Sequence, residues 1–302
     1  MKIIDAHIHY ARAEHFEACA LDAGHILTNE HLQQVFSENN IRAAVAMGTL
    51  HTSYSSGAPE ASLQLETDLN ATLSIPRVIN LGGDFSLQNY GQPNNIFYCA
   101  GVASETLTEA NVNKSLELFE KHLQTPGCVG IKLYPGYNYF YVTDKLYHGF
   151  YDLARSYDVP IVIHAGDTSR PAGMLKHSHP LTVDEVAVMF PQTRFVIAHL
   201  GNPWIVDAVA VVKKNHNVYA DLSGLAAGNF TADWFFKEYH GYVEHLKTWL
   251  QYLGRYDKLM YGTDWPLVNI PTYIEIIKHI IPQQHHELVF HDNAVKVFKL
   301  PF

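Results

Sequence analysis

Short runs of apolar residues alternate along the chain with longer stretches in which apolar positions recur every three or four residues. The runs KIIDAHIH (2–9), AAVAMGT (43–49), IFYCAGVA (96–103), CVGIKLY (128–134), VPIVIHA (159–165), TRFVIAH (193–199), NVYADLS (217–223) and KLMYGTD (258–264) read as strands. Several are apolar at nearly every position, the pattern of a parallel strand covered on both faces. The stretches between them read as helices. Residues 28–40 open with capping residues, 111–125 are strongly amphipathic, and 144–158 and 182–190 each stop at a proline. The segment 203–216 carries proline near its start, where the missing N–H costs nothing, and 242–254 ends in a glycine suited to a C-cap. Helices at 271–281 and 285–299 complete the series. Eight strands, each followed by helical material, predict an α/β fold: one closed (β/α)8 barrel, a TIM barrel, as a single domain over 1–302. A doubly wound open sheet would need a glycine-rich phosphate turn after the first strand, and HIHYARAEH stands there instead. Residues 51–95 are the least regular. They hold one expected helix near 60–75 and the stretch GGDFSLQNYGQPNN (82–95), expected as a loop over the barrel mouth.

Composition narrows the partners. Hydrophobic residues make up 47% of the 302 and charged ones 17%, enough apolar surface for a large core and too little polarity for disorder. The net charge of -9, with no basic block, argues against nucleic acid or an anionic membrane surface. No run of about 18 apolar residues and no leader-like N-terminus stands out, so a cytoplasmic protein with a small-molecule substrate is expected, self-association being left open. Cys19, Cys99 and Cys128 lack CxxC spacing, which excludes a cysteine metal site and suits a reducing compartment.

In such a barrel the reacting groups come from the C-terminal ends of the strands. Read in order, those ends carry His7 and His9, Lys132, His164, His199, Asp221 with Ser223, and Asp264. With 19 histidines in the chain, about one His-x-His pair arises by chance, so the motif alone decides little. A second pair, His177 and His179, falls in a loop and is set aside as a metal site. The first pair differs in context. Alternate residues of a strand share a face, so His7 and His9 project together. Two imidazoles aimed into a barrel need an occupant, and a divalent metal about 2.1 Å from each nitrogen satisfies both. The plainer alternative is a pair of core histidines bonded to nearby carbonyls. Asp5 is either a supporting partner of these ligands or an edge residue. His164 ends the most apolar strand and, beside the first pair, reads as a third ligand. His199 is open to two roles, ligand and catalytic base. Asp264 reads as a carboxylate ligand that also takes a proton from a metal-bound water, its alternative being an N-cap.

The ordered set DAHIH, IHAG, AHLG and GTDWP, on the first, fifth, sixth and eighth strands, resembles the amidohydrolase superfamily. Within it the chain is similar to the amidohydrolase 2 branch, related to aminocarboxymuconate semialdehyde decarboxylase. HDNAVKVFKL (291–300) resembles the Asn-Ala helix that closes that branch, and the resemblance spans residues 3 to 300. It implies a metallo-dependent hydrolase barrel with one divalent metal, usually zinc; manganese, iron or cobalt suit the same donors. It places the ligands at His7, His9, His164 and Asp264, and the histidine that orients or deprotonates the water at His199. Lys132, in GIKLYP, stands where some superfamily members carry a carboxylated lysine bridging two metals. In this branch the site is typically mononuclear, so Lys132 reads first as a substrate-carboxylate contact, with a bridging or a structural role behind it.

The expected reaction is hydrolysis of a C–N or C–O bond, in an amide or lactone, by a metal-activated water, with Asp264 and His199 handling the proton. Lys132, Tyr134 and Arg170 are the candidates for holding an anionic substrate, Arg170 being equally readable as a solvated loop charge. The first alternative is non-oxidative decarboxylation of an aromatic or unsaturated acid in the same site. The second is a metal-holding binding protein without turnover, which has no use for an acid–base residue beside its ligands.

Overall fold

Eight strands run parallel in chain order: β1 (Ile3–Ile8), β2 (Ile41–Met47), β4 (Ile96–Val102), β5 (Cys128–Leu133), β6 (Ile161–Ile163), β7 (Phe195–Ile197), β8 (Val218–Asp221) and β9 (Leu259–Met260). A two-residue strand, β3 (Leu73–Ser74), pairs antiparallel with β4. The computed structural model describes residues 1–10, 14–48, 73–74, 93–105, 107–169 and 171–302. The barrel closes through the residues after β9. The Ala6 N–H donates to the Tyr261 carbonyl (2.9 Å), Asp264 N–H to His7 (2.8 Å) and His9 N–H to Trp265 (2.7 Å). The expected eight-stranded α/β barrel is therefore the fold.

Alternation along the strands sorts their side chains into two cores. Ile4, Val45, Cys99, Val162, Val196 and Met260 belong to one cluster, on the barrel's inner face. Tyr98, Ile131, Leu133, Ile163, Phe195 and Ile197 belong to the other, packed against the helices. This double coverage explains why all six residues of β5 are buried and why its sequence does not alternate. The surrounding helices are α1 (Glu14–Asp22), α2 (Asn29–Glu38), α3 (Val112–Leu123), α4 (His148–Ser156), α5 (Leu181–Met189), α6 (Ile205–Lys214), α7 (Ala232–Glu238), α8 (His240–Leu253), α9 (Ile270–Ile280) and α10 (Asn293–Phe298). Their ends follow local chemistry. The Thr28 hydroxyl caps α2 by accepting from His31 N–H, and Gly254 ends α8 in the left-handed region.

The last helix closes the lower mouth. Ala294, Val297 and Phe298 of α10 join the inner cluster, and Lys299 pairs with Asp158, which precedes β6. Asn293 Nδ2 donates to the carbonyls of Tyr256 (2.8 Å) and Leu259 (2.7 Å), tying α10 to the start of β9. No helix among the described residues is long and apolar enough to cross a membrane.

Several elements differ from the sequence pattern. The runs ending in His164, His199 and Asp264 are strands for only two or three residues, and the polar residues stand beyond them. The segment 285–299 is not one helix: a 3-10 turn (Gln283–His285) and a π turn (Leu288–Asp292) precede α10. The helix expected over 203–216 starts at Ile205, as α6. Two short helices, α1 and α7, have no counterpart in the pattern. The expected helix near 60–75 and the loop 82–95 lie outside the described residues, apart from Leu73–Ser74, which is strand, and 93–95.

Candidate metal centre

β1 delivers His7, fully buried, to the C-terminal mouth, and His9 stands one rung beyond it, stacked on Phe16 with ring centroids 4.9 Å apart. The chain after β9 brings Asp264 opposite both. Asp264 Oδ1 lies 3.1 Å from His9 Nε2 and 3.4 Å from His7 Nε2. Yet His7 Nε2 and Asp264 Oδ1 are buried without a hydrogen-bond partner among the described residues. Native interiors rarely leave such atoms unsatisfied. The three side chains form a group whose donor atoms all lie within 4.8 Å of one another. An imidazole nitrogen and a carboxylate oxygen left bare beside His9 Nε2 fit a divalent cation.

Electrostatics prepares these groups for that role. Burial pushes the His7 imidazole down to about 4, which leaves it neutral with a free lone pair near neutral pH. Burial opposes ionisation of Asp264, but His199, His9 and His7 outweigh it and hold the carboxyl well below the usual range. Asp264 and His199 both occupy the left-handed region (φ 62° and 59°). A side chain there costs of order 1 kcal/mol or more, and such residues concentrate at functional sites.

The chain around Asp221 supports the centre. Asp221 Oδ2 is 2.9 Å from His7 Nδ1, and its Oδ1 accepts the His199 N–H (3.0 Å). Ser223 Oγ lies 2.9 Å from His199 Nδ1 and 2.5 Å from Asp221 Oδ1. Glycine is required at 224: its φ is +62°, and a Cβ there would meet His199 Nδ1 at 2.8 Å. Asp5 has a separate task. It accepts from Thr263 N (3.0 Å), Thr263 Oγ1 (2.7 Å) and His7 N (3.2 Å), a clasp across the barrel seam, while burial raises its carboxyl to about 7. Asp221 and Ser223 carried no assigned role in the sequence, although their two-residue spacing at a strand end repeats that of His7 and His9.

The other expected site residues are placed as follows. His164 stands at the same mouth, its ring centroid 5.0 Å from that of His199, with Nε2 donating to the Asp167 carbonyl (3.0 Å); it is outside the three-residue donor group. Lys132 is fully buried on β5, and its Nζ has no hydrogen-bond acceptor among the described residues. It lies 4.9 Å from the Tyr134 ring centroid, and burial lowers it to about 8. The Tyr134 hydroxyl donates to the Gly48 carbonyl. Arg170 lies outside the described residues. His177 and His179 join no metal-capable group among the described residues.

Comparison with known proteins places this geometry. The amidohydrolase 2 profile, described as an amidohydrolase, matches residues 100–300. The chain belongs to the amidohydrolase 2 family. The matched stretch of this family member holds His164, His199, Asp221 and Asp264; His7 and His9 precede it and reach the same mouth by closing the barrel. No curated protein matches it in sequence. Solved structures match its fold. A 2,6-dihydroxybenzoate decarboxylase complexed with 2,6-dihydroxybenzoate is 15% identical, with a TM-score of 0.67 over 99% of both chains. A 5-carboxyvanillate decarboxylase from Novosphingobium aromaticivorans, complexed with manganese and 4-hydroxy-3-methoxy-5-nitrobenzoic acid, is 14% identical, with a TM-score of 0.64 over 99% of this chain and 96% of that one. A probable 2-pyrone-4,6-dicarboxylic acid hydrolase from Acinetobacter baumannii, with citric acid bound, is 16% identical, with a TM-score of 0.59 over 99% and 100%.

Proposed function

We propose that this amidohydrolase 2 protein is a metal-dependent, non-oxidative decarboxylase of a small aromatic or unsaturated acid. This reverses the order expected from sequence, where hydrolysis stood first. The observation that carries it is the unpartnered Lys132 ammonium, buried in the same barrel interior as the bare donors of His7 and Asp264. Such a cation calls for an anion, and two full-length structural matches are named for aromatic carboxylic acids.

His7, His9 and Asp264 would hold the ion, with His164 as the further candidate at the same mouth. A bound divalent cation supplies positive charge that fixes an acidic substrate and stabilises negative charge developed during reaction. Lys132 Nζ pairs with an oxygen of the acid, and the buried mouth keeps water from competing. Tyr134 limits the pocket with its ring, and Arg170 is a further candidate for the anion. His199 passes a proton to the ring carbon that bears the carboxylate. Carbon dioxide then leaves, and the electrons of the broken bond restore the ring. Burial lowers the His199 imidazole below its usual value; Asp264, held as a carboxylate and facing it, opposes that shift and favours the protonated form during the transfer.

Hydrolysis of a lactone is the second reading, favoured by the match to a probable 2-pyrone-4,6-dicarboxylic acid hydrolase. There Asp264 or His199 takes a proton from the attacking water. Protein loaded with manganese or zinc and offered hydroxybenzoic acids and lactones separates the two. The proposal expects carbon dioxide and the decarboxylated phenol in equal amounts. Acid released from a lactone with no carbon dioxide would replace it with the hydrolase.

A further inference from the structure

We infer that Asp221 is a positioning residue that sets the tautomers of two histidines at once and so decides which ring nitrogens face the metal centre. Asp221 Oδ1 receives three donors: His199 N–H (3.0 Å), Ser223 N–H (3.1 Å) and the Ser223 hydroxyl (2.5 Å). A hydroxyl has one hydrogen. Because Ser223 gives it to the carboxylate, Ser223 Oγ can only accept from His199 Nδ1, 2.9 Å away. His199 therefore carries its hydrogen on Nδ1 and leaves Nε2 bare. On the other carboxylate oxygen, Oδ2 accepts from His7 Nδ1 (2.9 Å), which leaves His7 Nε2 bare, as its missing partner requires.

Asp221 belongs to a second metal-capable group with His7 and His199, but its bonds assign it a different part. Both of its oxygens are already engaged, three donors on one and an imidazole on the other. It acts through His7 and, by way of Ser223, through His199. A carboxylate behind a ligating histidine raises the basicity of the nitrogen that faces the metal, and its loss typically costs 10–100-fold in affinity.

The test uses the metal-free, 15N-labelled whole chain. Long-range 1H–15N correlation spectra report which nitrogen of each imidazole is protonated, the signals being assigned by difference with His7→Gln and His199→Gln. Hydrogens on Nδ1 of both His7 and His199 are expected, with Ser223→Ala releasing His199 into a tautomer mixture and leaving His7 unchanged. A hydrogen on Nε2 of either ring in the wild type, or no change in Ser223→Ala, overturns the inference. A second arm measures the dissociation constant of manganese alone. Asp221→Asn should weaken it about 10–100-fold while Ser223→Ala moves it by less than about 3-fold; equal affinity in wild type and Asp221→Asn overturns the positioning role. Only this second arm rests on the reading of His7 as a ligand, so the tautomers remain readable whatever the metal does.

Discussion

Lys132 and Asp264 carry opposite charges into one buried mouth, and each makes a distinct forecast. Replacing Lys132 with Met removes an unpaired buried cation, so the fold should hold or gain stability in urea. The same change should raise KM for an acidic substrate about 10–100-fold with little effect on kcat, since a charged contact made equally in ground and transition states is lost. In the wild type, Lys132 loses its proton near pH 8, so KM should climb above that pH and stay flat below it, as steady-state kinetics across pH 6–9 would register. Asp264→Asn should lower kcat by about 100-fold or more while the histidines still retain the ion, as metal analysis beside turnover would show. That His7, His9 and Asp264 come together was legible because all three stand at the ends of apolar strands of one barrel. The part played by Asp221 was not, since it consists of bonds to His7, 214 residues away along the chain, and to His199.

At the scale of elements, the sequence pattern located strands by their apolar runs but made them too long at the functional end. His199 and Asp264 stand beyond their strands in the left-handed region, a conformation that hydrophobicity does not record. Helices with a wide apolar face, such as α3 and α9, were legible, whereas α1 and α7 had no counterpart in the pattern. α3 also carries a pH dependence. His122 is buried against β4, with the Tyr98 hydroxyl 3.2 Å from its Nδ1, and burial lowers it to about 4. The unfolded chain therefore takes up this proton more readily than the folded one. The stability it contributes is complete above the unfolded value near 6.5 and is lost as pH falls from there toward 4. The loss at the lower end is up to about 3 kcal/mol. Urea midpoints measured from pH 7 to pH 4 should fall accordingly, and His122→Phe should flatten that part of the slope.

At the scale of the whole molecule, closure is the feature on which the site depends. β1 and the residue after it supply two of the three side chains of the donor group, and they meet the chain after β9 through the bonds of Ala6, His9 and Asp264 and the Asp5–Thr263 clasp across the seam. The eightfold rhythm predicted this cylinder. The resemblance also marked the Asn-Ala helix, and the structure supplies its physical reason. Asn293 reaches back to two carbonyls at the start of β9, and Ala294 is small enough to enter the barrel floor. Asn293→Ala should cost about 2 kcal/mol by leaving those buried carbonyls unpaired, seen as a lower urea midpoint with the slope unchanged.

The proposed site requires side chains from the first strand and from the chain after the last to share a single cation. Calorimetric titration of metal-free wild type and His7→Ala with manganese and zinc tests it most directly. One saturable ion per chain is expected in the wild type, with loss of that binding in the variant. Absence of saturable binding in the wild type, or the same ion held as tightly by His7→Ala, would contradict it.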